Sequence, residues 1–82
     1  MYTIDTDPAA LDQLKALPVD ALLPYAELLT VLELVPWRGD SIAKRNPDGA
    51  VRTMAFGGRG LVTYLILEDQ LRVDVLTVNW SG

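Results

Sequence analysis

The spacing of apolar residues switches from helical to strand period across Asn46-Pro47-Asp48-Gly49, and that switch restricts the fold to the α+β class. Before it, Leu11, Leu14 and Leu17 recur at helical intervals, and Leu22, Tyr25, Ala26, Leu29, Val31, Leu32 and Leu34 make a broad apolar helix face. After it, residues 50–56, 61–67 and 71–80 are short apolar runs. They are separated by Gly57-Gly58-Arg59-Gly60 and Glu68-Asp69-Gln70, which read as turns between strands.

The boundaries carry their own chemistry. Residues 2–6 open with Tyr-Thr-Ile, a β-prone run that predicts a first strand. Asp7-Pro8 starts a helix: Asp can cap exposed N–H groups, and Pro fits the first helical position because its missing N–H has no partner there anyway. Pro18 ends that helix and Asp20 is placed to cap a second. Pro24 is then expected in the second helix's first turn, with a kink or a start at Pro24 as equal alternatives. Almost no loop separates the two helices, which favours a helical hairpin. The order β-α-α-β-β-β predicts one domain over residues 1–82, with the hairpin packed on one face of an antiparallel sheet and the last three strands in a meander. Candidate core residues are Leu11, Leu14, Leu29, Leu32, Val62, Tyr64 and Leu65, although Tyr64 and Leu65 point to opposite faces of a regular strand.

A domain of this length buries about 60% or slightly more of the surface its unfolded chain exposes. With hydrophobic residues at 50% it can build a core without staples. None are available: the chain has no cysteine, hence no disulfide, thiolate nucleophile or cysteine zinc site. It has no histidine either, which removes Ser-His-Asp catalysis, two-histidine metal sites and histidine acid–base chemistry. The acidic residues lack the oxygen-rich spacing of a calcium loop, so no metal and no cofactor is expected. No basic-then-apolar segment opens the chain, and the apolar stretches are short and interrupted. A cytoplasmic protein without a membrane span is expected.

The net charge of −4 argues against a simple polyanion binder, but its distribution is uneven. Residues 1–37 and 60–82 are acidic, while residues 38–59 hold Arg38, Lys44, Arg45, Arg52 and Arg59 against Asp40 and Asp48. Arg52 lies within an apolar strand, Arg59 in the neighbouring turn, and Lys44 and Arg45 in the preceding loop. In a meander Arg52 and Arg59 can approach one another. Clustered guanidinium groups suit phosphate, as forked donors and as stabilisers of charge on a pentacovalent phosphorus. The competing reading is a set of solvated surface bases in weak ion pairs. Trp80, between Asn79 and Ser81, offers either a cover for the core edge or a stacking face for a base. The glycine turn matches neither the dinucleotide fingerprint nor a P-loop.

These segments, in this order, resemble the RelE/ParE superfamily of bacterial toxins over nearly the whole chain. The family's strand arginine, glycine turn, second basic residue and tyrosine strand correspond to Val51-Arg52-Thr53-Met54-Ala55-Phe56-Gly57-Gly58-Arg59 followed by Leu61-Val62-Thr63-Tyr64. The helix exit Leu34-Val35-Pro36-Trp37-Arg38-Gly39 resembles the family's leucine-x-x-proline-x-x-glycine turn. Where the family often ends in valine-glycine-histidine-arginine, this chain reads Leu76-Thr77-Val78-Asn79-Trp80-Ser81-Gly82.

The resemblance implies a RelE-like toxin of a type II toxin–antitoxin system, a metal-independent endoribonuclease that cleaves mRNA in the ribosome. It implies that Arg52 and Arg59 stabilise phosphate charge, that Lys44 and Arg45 grip RNA, and that Trp80 stacks. The alternative is a toxin-fold protein without nuclease activity that binds a protein, either a gyrase-like target or its antitoxin alone. A cognate antitoxin, or a second copy forming a homodimer, is expected to cover the apolar surface of the second helix. Cleavage through the ribose 2′-hydroxyl also needs proton transfer, and ordinary lysines are protonated at neutral pH. Slow or undetectable cleavage of free RNA is therefore expected.

Overall fold

Both helices form where the apolar spacing places them, but neither is capped as the sequence suggests. In the computed structural model, which describes residues 1–81, α1 spans Pro8–Lys15 and α2 spans Val19–Leu34. Asp7 occupies the N-cap position of α1, yet its side chain makes no capping hydrogen bond. The Leu11 N–H donates to the Asp7 carbonyl at 2.9 Å instead. At α2 the N-cap is Pro18 and Asp20 lies in the first turn. There its carboxylate faces the positive end of the helix dipole rather than a capping position. Pro24 consequently falls inside the helix. The helix runs on through it, leaving the carbonyl one turn earlier without its N–H partner.

Strand β1 is Thr3–Thr6, β2 is Asp40–Ser41, β3 is Val51–Phe56, β4 is Gly60–Leu67 and β5 is Arg72–Trp80. They form one sheet in the order β1-β5-β4-β3-β2. The last three strands are the expected antiparallel meander. The sheet as a whole is mixed, because β1 joins its far edge parallel to β5, with Ile4 opposite Val73. The polar composition of residues 40–49 conceals β2, which pairs antiparallel with β3. That extra pass adds one reversal of the chain before the meander, so β5 runs with β1 instead of against it. Short 3₁₀ turns cover Pro36–Arg38 and Glu68–Gln70.

Both helices lie on one face of the sheet. Ala10 of α1 and Ala21, Tyr25, Leu28 and Leu32 of α2 meet Phe56, Val62, Tyr64, Ile66, Val73, Val75 and Val78 of the strands. On β5 the inward residues change phase between Val75 and Val78. Thr63 pairs with Thr77 and Tyr64 with Val75, so Leu76 is the extra residue of a bulge. Two expected core positions differ. Leu11 is 45% exposed, because the eight-residue α1 turns Ala10 to the sheet instead. Leu65 is half-buried on the outer face, as strand alternation requires once Tyr64 points inward. No helix among the described residues is long and apolar enough to cross a membrane.

Candidate functional site

Arg52 is the only buried charged residue among the described residues, at 8% exposed. It pairs with Tyr64 across β3 and β4, and its side chain lies on the helix-covered face. Its guanidinium is enclosed by carbonyls. Nε donates to Gly49 at 3.0 Å, Nη2 to Pro47 at 2.7 Å, and Nη1 to Gly39 at 2.7 Å and Trp37 at 3.3 Å. The Trp37 ring packs on the guanidinium with its centroid 4.9 Å from Cζ. These bonds tie the end of the 3₁₀ turn after α2 to the loop between β2 and β3. Beside them the Tyr64 hydroxyl donates to the Pro36 carbonyl at 2.6 Å, and burial pushes its pKa up. Gly39 is obligatory here: a Cβ would collide with the Tyr64 hydroxyl and the Thr53 carbonyl.

The expectation that Arg52 presents a free guanidinium to a phosphate is therefore corrected. A charge removed from water in so small a core needs compensation, and here backbone oxygens provide it. Lys44 and Arg45 are exposed on the loop that Arg52 pins. The Ser41 hydroxyl donates to the Asn46 carbonyl at 2.7 Å and closes the same loop.

Arg59 and Trp80 belong to the opposite end of the sheet. The β3–β4 hairpin turns through Gly57 and Gly58, with φ of 61° and 76°, conformations that glycine adopts without strain. Arg59 is exposed in that turn, and its carbonyl accepts the Ser81 N–H at 2.9 Å. Trp80 is half-buried, packed on Phe56 with centroids 5.5 Å apart. It also lines an open groove of about 420 Å³ together with Gln13, Leu17, Pro18 and Asn79. Phe56 pairs with Gly60, four residues along β3 from Arg52, or about 13 Å of strand. The meander thus separates Arg52 from Arg59 instead of joining them.

The outer face of the sheet holds little positive charge. Thr53, Thr63 and Thr77 sit in register across β3, β4 and β5, with Asp40 of β2 opposite Thr53. Arg72 is the one cation on the strands of this face, and it is engaged by Asp74. Its Nε donates to Oδ1 at 2.8 Å and its Nη2 to Oδ2 at 3.2 Å, with Asp5 in register beside Asp74. No cluster of three potential metal ligands occurs among the described residues.

One polar cluster has no signal in the sequence. A single Glu68 oxygen, Oε1, accepts the Tyr2 hydroxyl and the Trp37 indole N–H, both at 2.7 Å. These donors hold the Glu68 carboxyl below its usual range, while the bond to Glu68 raises the Tyr2 phenol. The partners are 66 and 31 residues away from Glu68, so no spacing rule reveals them.

No family model matches this chain, and no curated protein does. Solved structures do. A chain of the intact RelBE toxin–antitoxin complex from E. coli superposes with a TM-score of 0.81 at 14% identity, covering 100% of this chain and 99% of that one. A chain of the RelBE2 toxin–antitoxin complex from Mycobacterium tuberculosis gives 0.81 at 22% identity, over 96% and 90% of the two chains. One from the archaeal RelE–RelB complex of Pyrococcus horikoshii gives 0.66 at 16% identity, over 99% and 96%. The fold is that of the RelE toxin structures.

Proposed function

We propose that this chain is the RelE-like toxin of a toxin–antitoxin pair. The observation that carries this reading is the end-to-end correspondence of its helices and sheet with chains of toxin–antitoxin complexes. A cognate antitoxin is accordingly its expected partner. Of the two modes open to such a toxin, the geometry favours binding to a protein over cleavage of RNA. Phosphoryl transfer needs charge stabilisation and proton transfer at one place. In this chain Arg52 is spent on backbone carbonyls, and Arg59 stands at the other end of β3. The exposed lysine and arginine of the β2–β3 loop lie at the Arg52 end.

Ribosome-dependent mRNA cleavage is the second reading, and the placement of Arg59 and Trp80 at one end of the sheet favours it. There the Arg59 carbonyl accepts the Ser81 N–H, so an exposed cationic residue and a half-buried aromatic residue share one end of the sheet. Arg59 would contact a phosphate there and Trp80 would stack on a base, with Lys44 and Arg45 gripping RNA elsewhere and the ribosome supplying what the chain lacks.

Expression of the chain in a bacterial host, with mapping of transcript ends, separates the modes. Growth arrest without new transcript ends is the expected result. Arrest with new ends that vanish in Arg59→Ala and Trp80→Ala would establish the cleavage reading. If expression leaves growth unaffected and no small neighbouring protein co-purifies, the toxin reading is overturned.

A further inference from the structure

Helix α2 is apolar on both sides. Its inner side is the core row Ala21, Tyr25, Leu28 and Leu32. On the solvent side, Val19, Leu23, Ala26 and Thr30 follow one another at intervals of four, three and four residues, the seam of a two-helix packing. Val19 is 83% exposed and Leu23 70%, with Leu22 at 51% and Leu34 at 58% alongside. A helix with apolar residues on two opposite sides normally buries both. Nothing among the described residues covers this side of α2.

The charges beside the stripe indicate what covers it. Asp20, Glu27 and Glu33 are the only charged residues of α2, and all three are acidic. None of them is in a salt bridge among the described residues. In an amphipathic partner these positions face the residues flanking its apolar seam. A second copy packing α2 on α2 would set acid against acid with no base on either helix to relieve it. We propose that the outer stripe of α2 docks a basic amphipathic helix from another polypeptide, one with an apolar seam and lysine or arginine flanks. The proposal rests on the partner reading above and adds the surface used and the partner's chemistry.

The test uses the full chain and three synthetic helical peptides matched in length to α2. They share one leucine seam and carry lysine, glutamine or glutamate at the flanking positions. Binding is followed by fluorescence anisotropy at low and high salt, and the mass of the free chain by light scattering across concentration. The lysine peptide should bind about tenfold tighter than the glutamine peptide at low salt, and the glutamate peptide weakest. High salt should narrow the difference. Asp20→Lys with Glu27→Lys should reverse the order, and Leu23→Gln should weaken all three peptides. These positions are exposed, so circular dichroism should report an unchanged fold. Equal binding of the three peptides, or none, overturns the proposal. So does a dimer of the free chain that Leu23→Gln dissolves. Growth and co-purification on expression test the toxin reading separately: arrest with no preference for lysine sinks only the docking proposal, and lysine preference with neither arrest nor a co-purifying neighbour sinks only the toxin.

Discussion

The Arg52 guanidinium lies against the Trp37 ring, 4.9 Å from its centroid, while its Nη1 donates to the carbonyl of the same tryptophan at 3.3 Å. One side chain from β3 thus fixes both the face and the backbone of the residue that leads out of α2. The three further bonds to Gly39, Pro47 and Gly49 make Arg52 the joint between the two halves of the chain.

Removing that joint should cost the fold directly. Arg52→Ala takes the donor from one buried and three part-buried carbonyls and should lower stability by about 3 kcal/mol. Arg52→Lys should recover only part of it, since an ammonium cannot span four carbonyls as a planar fork does. Urea unfolding measures both. An Arg52→Ala variant as stable as the wild type would show that the carbonyl cage is not formed. A change in growth on expressing Arg52→Ala is interpretable only beside that measurement, whereas Arg59 is exposed and its substitution leaves the core intact.

Two core tyrosines should respond in opposite ways to the same substitution. The Tyr64 hydroxyl donates to the Pro36 carbonyl, and Tyr64→Phe should destabilise by about 1–2 kcal/mol. The Tyr25 hydroxyl is buried with no hydrogen-bond partner among the described residues. Tyr25→Phe should be neutral, or stabilising by up to about 1 kcal/mol. Tyr25 also packs edge-on against Phe56 at 5.5 Å, a contact that phenylalanine keeps. Thermal unfolding of the two variants side by side decides this, and equal losses would contradict it.

Gly39 and Tyr64 should be energetically coupled. Gly39→Ala drives a Cβ into the Tyr64 hydroxyl and the Thr53 carbonyl, and should cost about 3 kcal/mol or more. In a Tyr64→Phe background the first collision is relieved while the second remains. A double-mutant cycle should therefore show Gly39→Ala less damaging there, by about 1 kcal/mol. Strict additivity would count against the close approach.

Stability should fall at both ends of the pH range for different reasons. Glu68 is held below its usual value by Tyr2 and then Trp37. Its contribution is complete above the unfolded carboxylate pKa and is lost as pH falls through the lower folded value. Tyr25 and Tyr64 are raised by burial, and Tyr2 chiefly by its bond to Glu68. Their contributions are complete below the unfolded phenol pKa and are lost as pH rises through the folded values. Glu68→Gln should flatten the acid limb of a stability–pH profile and leave most of the alkaline limb. An unchanged acid limb would show that the two hydrogen bonds to Glu68 are not populated in solution.

The α+β class, the helical hairpin and the meander follow from periodicity and punctuation alone, because both act over a few neighbouring residues. Leu32, Val62 and Tyr64 are core residues by the same local logic. The roles of the charged residues do not follow from it. Arg52 reads as a free strand cation in the sequence. Only the fold brings the carbonyls of Trp37, Gly39, Pro47 and Gly49 around it and commits its donors. Likewise β2, two residues long, has no propensity of its own, yet it sets whether β1 and β5 run together. The sequence by itself determined the two helices and the longer strands, since side-chain spacing along the backbone fixes those. The tertiary structure alone decided which polar groups meet, because a hydrogen bond depends on distances across elements that can be 66 residues apart in the chain, as Tyr2 and Glu68 are.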